Sequence, residues 1–122
     1  MDIEQFWADV LRQDAEALRA YFHEGAFVNW HCTNEHFTVE EYIRANCEYP
    51  GQWAGEIQRK HFFDDMIVTV VHVYPVDGSA SFHVTSFIRV QNGRIRSMDE
   101  YWGDDGPAPQ WRQDKHLGKP IH

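Results

Sequence analysis

Apolar positions at Ile3, Phe6, Trp7, Val10 and Leu11 recur at three-and-four spacing, and with Asp2 as N-cap they predict an amphipathic helix over Asp2–Gln13. Asp14 caps a second, shorter helix over Ala15–Phe22; its stripe is Leu18, Tyr21 and Phe22, and Gly25 stops it. Ala26–Cys32 alternates instead, with Val28, Trp30 and Cys32 on one face and Phe27, Asn29 and His31 on the other. Thr38 and Glu41 make a capping box that opens a third helix, which runs to Cys47 and breaks before Tyr49-Pro50-Gly51. Beyond Gly51 the period is two. Trp53–Phe63 turns at Asp64-Asp65 into Met66–Tyr74, Pro75-Val76-Asp77-Gly78 leads to Ala80–Gln91, and Asn92-Gly93 leads to Arg94–Trp102. From Gly103 onward the prolines cluster, and the segment reads as an irregular arm anchored by Trp111. Hairpins exclude a parallel doubly wound sheet. The expected fold is α+β, a curved antiparallel sheet with helices gathered on one side, in a single domain over residues 1–122.

Composition narrows the function classes. Aromatic residues make up 15% of the chain, too many large rings for a disordered polypeptide and enough to line a cavity. A formal charge of −8 repels phosphate backbones and anionic headgroups, so neither nucleic acid nor membrane is an expected partner. No apolar run approaches the roughly 20 residues of a membrane span. The acidic start Met1-Asp2-Ile3-Glu4 lacks the basic character of a secretory signal, and a cytoplasmic location with Cys32 and Cys47 as free thiols is expected.

The element order, with Phe22-His23-Glu24-Gly25-Ala26 leading into the first strand and Gly93-Arg94-Ile95 closing on Asp99-Glu100-Tyr101-Trp102-Gly103, resembles the nuclear-transport-factor-2-like superfamily, specifically its SnoaL-like members. Trp30-His31-Cys32-Thr33-Asn34-Glu35, Asn46-Cys47-Glu48-Tyr49-Pro50-Gly51 and Pro109-Gln110-Trp111-Arg112 look like one bacterial subgroup of small stand-alone domains. The resemblance implies a cone: a bent antiparallel sheet wraps three N-terminal helices, leaves an apolar pocket at its open end, and commonly pairs two chains through the sheet. The fold hosts isomerases, dehydratases, cyclases, epoxide hydrolases and plain binding modules, so it does not select a reaction. Ketosteroid-isomerase-like members carry a base and an oxyanion hole at places that fall here at about Trp30, Phe6 and Ser86. None reproduces its role, because an indole, a phenyl ring and an alkyl hydroxyl cannot move the protons that enolisation needs. What remains is an aromatic wall with one hydroxyl, suited to a small apolar or aromatic molecule.

Two residues stand out as candidate catalytic groups. Ile95, Met98, Glu100 and Trp102 share one face of the last strand only if a bulge near Arg96-Ser97 shifts the register. Glu100 then points into the pocket beside Trp102, Trp30 and Met98, where desolvation raises its pKa as a general acid or base requires; otherwise it pairs with an arginine at the rim. His72 lies in Val68, Val70, His72, Tyr74, and the opposite face, Ile67, Thr69, Val71, Val73, is apolar too. One of these faces lines the cone, and a second copy of the chain is the most economical cover for the other. On the inner face His72 approaches Glu100 across Val84 or Ser86 to make an acid and a base flanking one cavity; on the outer face it is held by a backbone carbonyl or an interface. Arg59 is expected to face solvent. No cofactor and no metal are expected: His31 and Cys32 are adjacent on a strand and point apart, so they do not join His36 around one ion. The sequence supports a domain that binds a small hydrophobic or aromatic molecule, with acid/base catalysis as its extension and a non-catalytic dimeric binding or scaffold module as the alternative.

Overall fold

Local capping signals set the helix starts. In the computed structural model, which describes residues 1–122, α1 spans Ile3–Arg12 and the Asp2 side chain accepts from the Gln5 amide at 3.0 Å. Gln13 closes the helix in the left-handed region, with φ at 57°. Asp14 caps α2 (Ala15–Arg19) in the same way, and the reciprocal Thr38/Glu41 capping box opens α3 (Val39–Cys47). The strands are β1 (Phe22–Trp30), β2 (Glu35–Thr38), β3 (Trp53–Phe62), β4 (Met66–Pro75), β5 (Phe82–Gln91) and β6 (Arg94–Asp104). They form one sheet in the order β2-β1-β6-β5-β4-β3. The expected α+β cone is the observed architecture, with α1, α2 and α3 on the inner side of a bent sheet.

Four local expectations need correction. Phe22 does not end α2; it begins β1, because the Phe22–Ile95 pairing and the bond from the Ile95 amide to the Tyr21 carbonyl draw the chain into the sheet. That β1–β6 pairing is parallel, the one exception in an otherwise antiparallel sheet. Cys32 lies not on a strand but in a 3-10 turn over His31–Thr33, after which Asn34 reverses the chain into β2, an edge strand the alternation pattern did not reveal. Finally, β6 runs on to Asp104, and Trp111, in a short helix α4 (Gln110–Asp114), anchors nothing: it is 57% exposed, with the Arg112 guanidinium 5.4 Å from its ring centre.

Curvature comes from extra residues. Arg89 pairs with Ser97 and Val90 with Ile95, so Arg96 is a bulge, and Gln58 is another between the Ile57–Val71 and Arg59–Val70 pairs. The first bulge places Ile95, Met98, Glu100 and Trp102 on the concave face with Val84, Ser86 and Ile88. Beneath α1 the core closes on Ile3, Phe6, Trp7 and Val10, and the Trp7 indole donates to Thr69 Oγ1 at 3.2 Å, tying helix to sheet. Gly55 permits a close approach on β3: a β-carbon there would lie 2.4 Å from the His72 carbonyl oxygen and 3.3 Å from Leu11. Gly55→Ala is therefore expected to cost about 1–3 kcal/mol, visible as a lowered melting temperature in calorimetry, whereas an unchanged melt would contradict this close packing.

Candidate functional site

The C-terminal ends of α1 and α3 meet over one end of the cone, and amide side chains lock them together. Gln13 Nε2 donates to the carbonyls of Asn46 at 2.9 Å and Tyr49 at 2.7 Å, while Asn46 Nδ2 donates back to the Val10 carbonyl at 3.0 Å. Below this clasp lies a cavity of about 240 Å³ lined by fifteen residues, eleven of them hydrophobic. α1 contributes Trp7, Val10, Leu11 and, just past its end, Gln13; the β1–β2 connection contributes Trp30, Cys32 and Thr33; the α3 side contributes Ala45, Asn46 and Tyr49. The sheet ends supply Trp53, Val73, Phe82, Trp102 and Asp104, of which Phe82 and Asp104 are register partners.

Glu100 lies behind this wall. It is 1% exposed and does not border the cavity, which corrects the expectation that it points into the pocket. Its Oε1 accepts from the Trp30 indole at 3.0 Å and its Oε2 accepts from the Ser86 hydroxyl at 2.6 Å. The Trp102 indole nitrogen is buried without a hydrogen-bond partner, near enough to the same carboxyl to favour its ionised form. Burial nevertheless dominates, and the carboxyl is pushed above the usual carboxylate range. Tyr42, also buried, is held well above the ordinary phenol value, first by desolvation and then by Glu100.

Of the residues expected in the site, the structure brings Trp30 and Trp102 to the cavity wall. Phe6, Ser86 and Met98 are fully buried in the core and do not line it. His72 is on the other face of the sheet from Glu100: its Nε2 is 2.8 Å from Ser81 Oγ, and its ring stacks on His83 at 4.8 Å. The acid/base pair Glu100–His72 is thus excluded, since alternation on β4 puts Val71 and Val73 inward and His72 outward. The two other histidines considered are also engaged outside, His31 with Asp99 at 2.7 Å and His36 with Asn29 at 2.6 Å, while Cys32 borders the cavity. Arg59 is exposed. Trp53, Phe82, Tyr49 and Asp104 lie at or just beyond the ends of elements, where alternation is shortest, so the sequence pattern does not assign them to the site. The signal available for them was that the three-strand meander brings Trp53, Phe82 and Trp102 to one end of the sheet.

No family model and no curated protein matches this chain. Solved structures do. A candidate ketosteroid isomerase from Kribbella flavida superposes with a TM-score of 0.81 at 21% identity, over 98% of this chain and 87% of that one. An NTF-2-like protein of unknown function from Burkholderia xenovorans gives a TM-score of 0.78 at 16% identity, covering 98% and 92%. The chain has the nuclear-transport-factor-2-like fold. Another protein with a ketosteroid isomerase-like fold, from Catenulispora acidiphila and solved in complex with trimethylamine, matches at TM-score 0.66 and 15% identity over 82% and 84% of the two chains. At these identities the likeness concerns the fold alone, and within the nuclear-transport-factor-2-like fold the chemistry must be read from this chain's own residues.

The environment of Glu100 makes stability depend on pH. The folded carboxyl keeps its proton to higher pH than the unfolded one, so its contribution is fully present below about pH 4.3 and is lost as pH rises through the folded value. Glu100→Gln retains an acceptor for Trp30 and a donor for Ser86 without the charge. The variant is expected to melt several degrees above wild type near pH 8, with the difference vanishing near pH 4; a variant that melts lower at pH 8 would contradict this account of the buried carboxyl.

Proposed function

We propose that the protein binds a small, largely apolar or aromatic molecule in the cavity beneath the Gln13–Asn46 clasp. The observation that carries this reading is a wall built from six aromatic side chains, Trp7, Trp30, Tyr49, Trp53, Phe82 and Trp102, around a volume of about 240 Å³. A cavity of that size is below the range of roughly 300–1,000 Å³ for drug-sized ligands and suits a molecule of about ten heavy atoms or fewer. That the Catenulispora protein of ketosteroid isomerase-like fold was solved in complex with trimethylamine supports a small ligand. An acid/base reaction through Glu100 and His72 is not part of the reading, and binding without turnover is its simplest form. Saturation-transfer NMR with toluene and p-cresol tests it. Both are expected to bind wild type, and Ala45→Phe, which fills the cavity from α3, is expected to abolish binding while the fold persists by circular dichroism. Failure of wild type to bind either probe would overturn the proposal.

We also infer that two copies pair through the outer face of the sheet. Phe87 and Tyr101, 37% and 44% exposed, form an edge-to-face pair at 6.1 Å on this face, beside the half-buried Val68 and Val70. A specific dimer should bury more than about 1,000 Å² in total. Sedimentation equilibrium at micromolar concentration is expected to give a dimer for wild type and a monomer for Phe87→Lys; a monomeric wild type would remove the inference.

A further inference from the structure

We propose that the cavity is a receptor for a small organic ammonium ion, with the Glu100 carboxylate behind the tryptophan wall as its counter-charge. This rests on the cavity being a binding site and adds the charge and class of its ligand. The rings form a continuous chain. Trp30 and Trp102 lie 6.1 Å apart, Trp102 and Phe82 6.4 Å, Phe82 and Trp53 6.0 Å, and Trp53 and Tyr49 5.1 Å between centres. Successive planes are inclined by 65°, 77°, 45° and 76°, the relation of adjoining walls of a box and not of a stacked layer.

Such a box has a preferred charge. The indole N–H groups of Trp7, Trp30 and Trp53 are spent on Thr69, Glu100 and the Pro50 carbonyl, and that of Trp102 is buried. With those N–H groups spent or buried, the indoles give the cavity carbon surface, and a cation lodged against the face of such a ring is attracted to it. No Lys, Arg or His lines the cavity; its one charged residue is Asp104, which forms no salt bridge. The chain's net charge of −8 draws cations toward the molecule from solution.

Glu100 supplies what rings alone lack. The groups that face it are Trp30 from β1, Ser86 from β5, Trp102 from β6 and Tyr42 from α3, and none of them is a cation. With the cavity empty, an ionised carboxyl in this place has no counter-charge, so burial holds its proton to higher pH than in an ordinary glutamate. A cation seated on the other side of Trp30 and Trp102 favours the carboxylate, to which the Trp30 indole and the Ser86 hydroxyl are already placed to donate, and the carboxyl proton leaves to solvent. Ligand binding and proton release are thereby linked.

Choline and its neutral isostere 3,3-dimethylbutan-1-ol distinguish charge from shape. By calorimetry near pH 8, wild type is expected to prefer choline by at least about tenfold, and the preference should shrink toward about pH 5 as Glu100 takes up its proton. Glu100→Gln should show a reduced preference that no longer changes between these pH values. The wild-type profile carries the test even where the variant fails to fold. Equal affinity for the two compounds would overturn the ammonium proposal and leave the apolar cavity reading intact. Binding of neither would overturn both. A choline preference in wild type that is the same at both pH values would remove Glu100 as the counter-charge.

Discussion

A carboxyl group buried without a cation, at the junction of β1, β5 and β6, is the constraint around which the cavity end of this molecule is organised. Glu100 accepts from an indole on one neighbouring strand and a hydroxyl on the other, so three strands contribute to one polar cluster inside an apolar core. Left without those donors, the group would cost several kcal/mol to bury; with them it ties the Trp30 indole to β6 by a hydrogen bond of 3.0 Å. The bulge at Arg96 is what makes this possible. Without the extra residue, every side chain from Met98 to Trp102 would exchange faces, and the carboxyl would lie outside.

The same device divides the sheet into two surfaces with different chemistry. The concave side is apolar, aromatic and free of basic groups around the cavity, whereas the convex side gathers His72, His83, Ser81 and Asp105 into a partly exposed hydrogen-bonded cluster. Asp105 is held below its ordinary value by Ser81 and His83 despite partial desolvation. Glu100, by contrast, is pushed up because burial outweighs its neutral donors. Two carboxyl groups, Glu100 within β6 and Asp105 just past its end, thus sit in opposite electrostatic regimes.

Much of this plan is legible in the sequence. The capping residues Asp2, Asp14 and Thr38 and the Asn92-Gly93 turn are local signals with local consequences, and the α+β order of elements follows from the pattern they punctuate, whereas the cone is what the family resemblance implies. Ile95, Met98, Glu100 and Trp102 share a face only with a bulge near Arg96-Ser97, a condition that the sequence leaves open and the pairing of β5 with β6 meets at Arg96. What local pattern does not carry is pairing between distant segments. Phe22 reads as helical until its parallel pairing with Ile95 is known, β2 is too short to alternate visibly, and His72 has apolar neighbours on both faces. The site was half legible for the same reason. Trp30 and Trp102 follow from strand register, while Trp53, Phe82 and Asp104 join them only through the three-dimensional convergence of strand ends.

The most direct test of the account is the titration of the Glu100 carboxyl itself, followed by carbon-13 NMR of the side-chain carboxyl with and without choline. The account predicts a midpoint clearly above the unperturbed glutamate value of about 4.3 in the free protein, moving downward when choline is present. A midpoint at the ordinary value, unmoved by saturating choline, would contradict it.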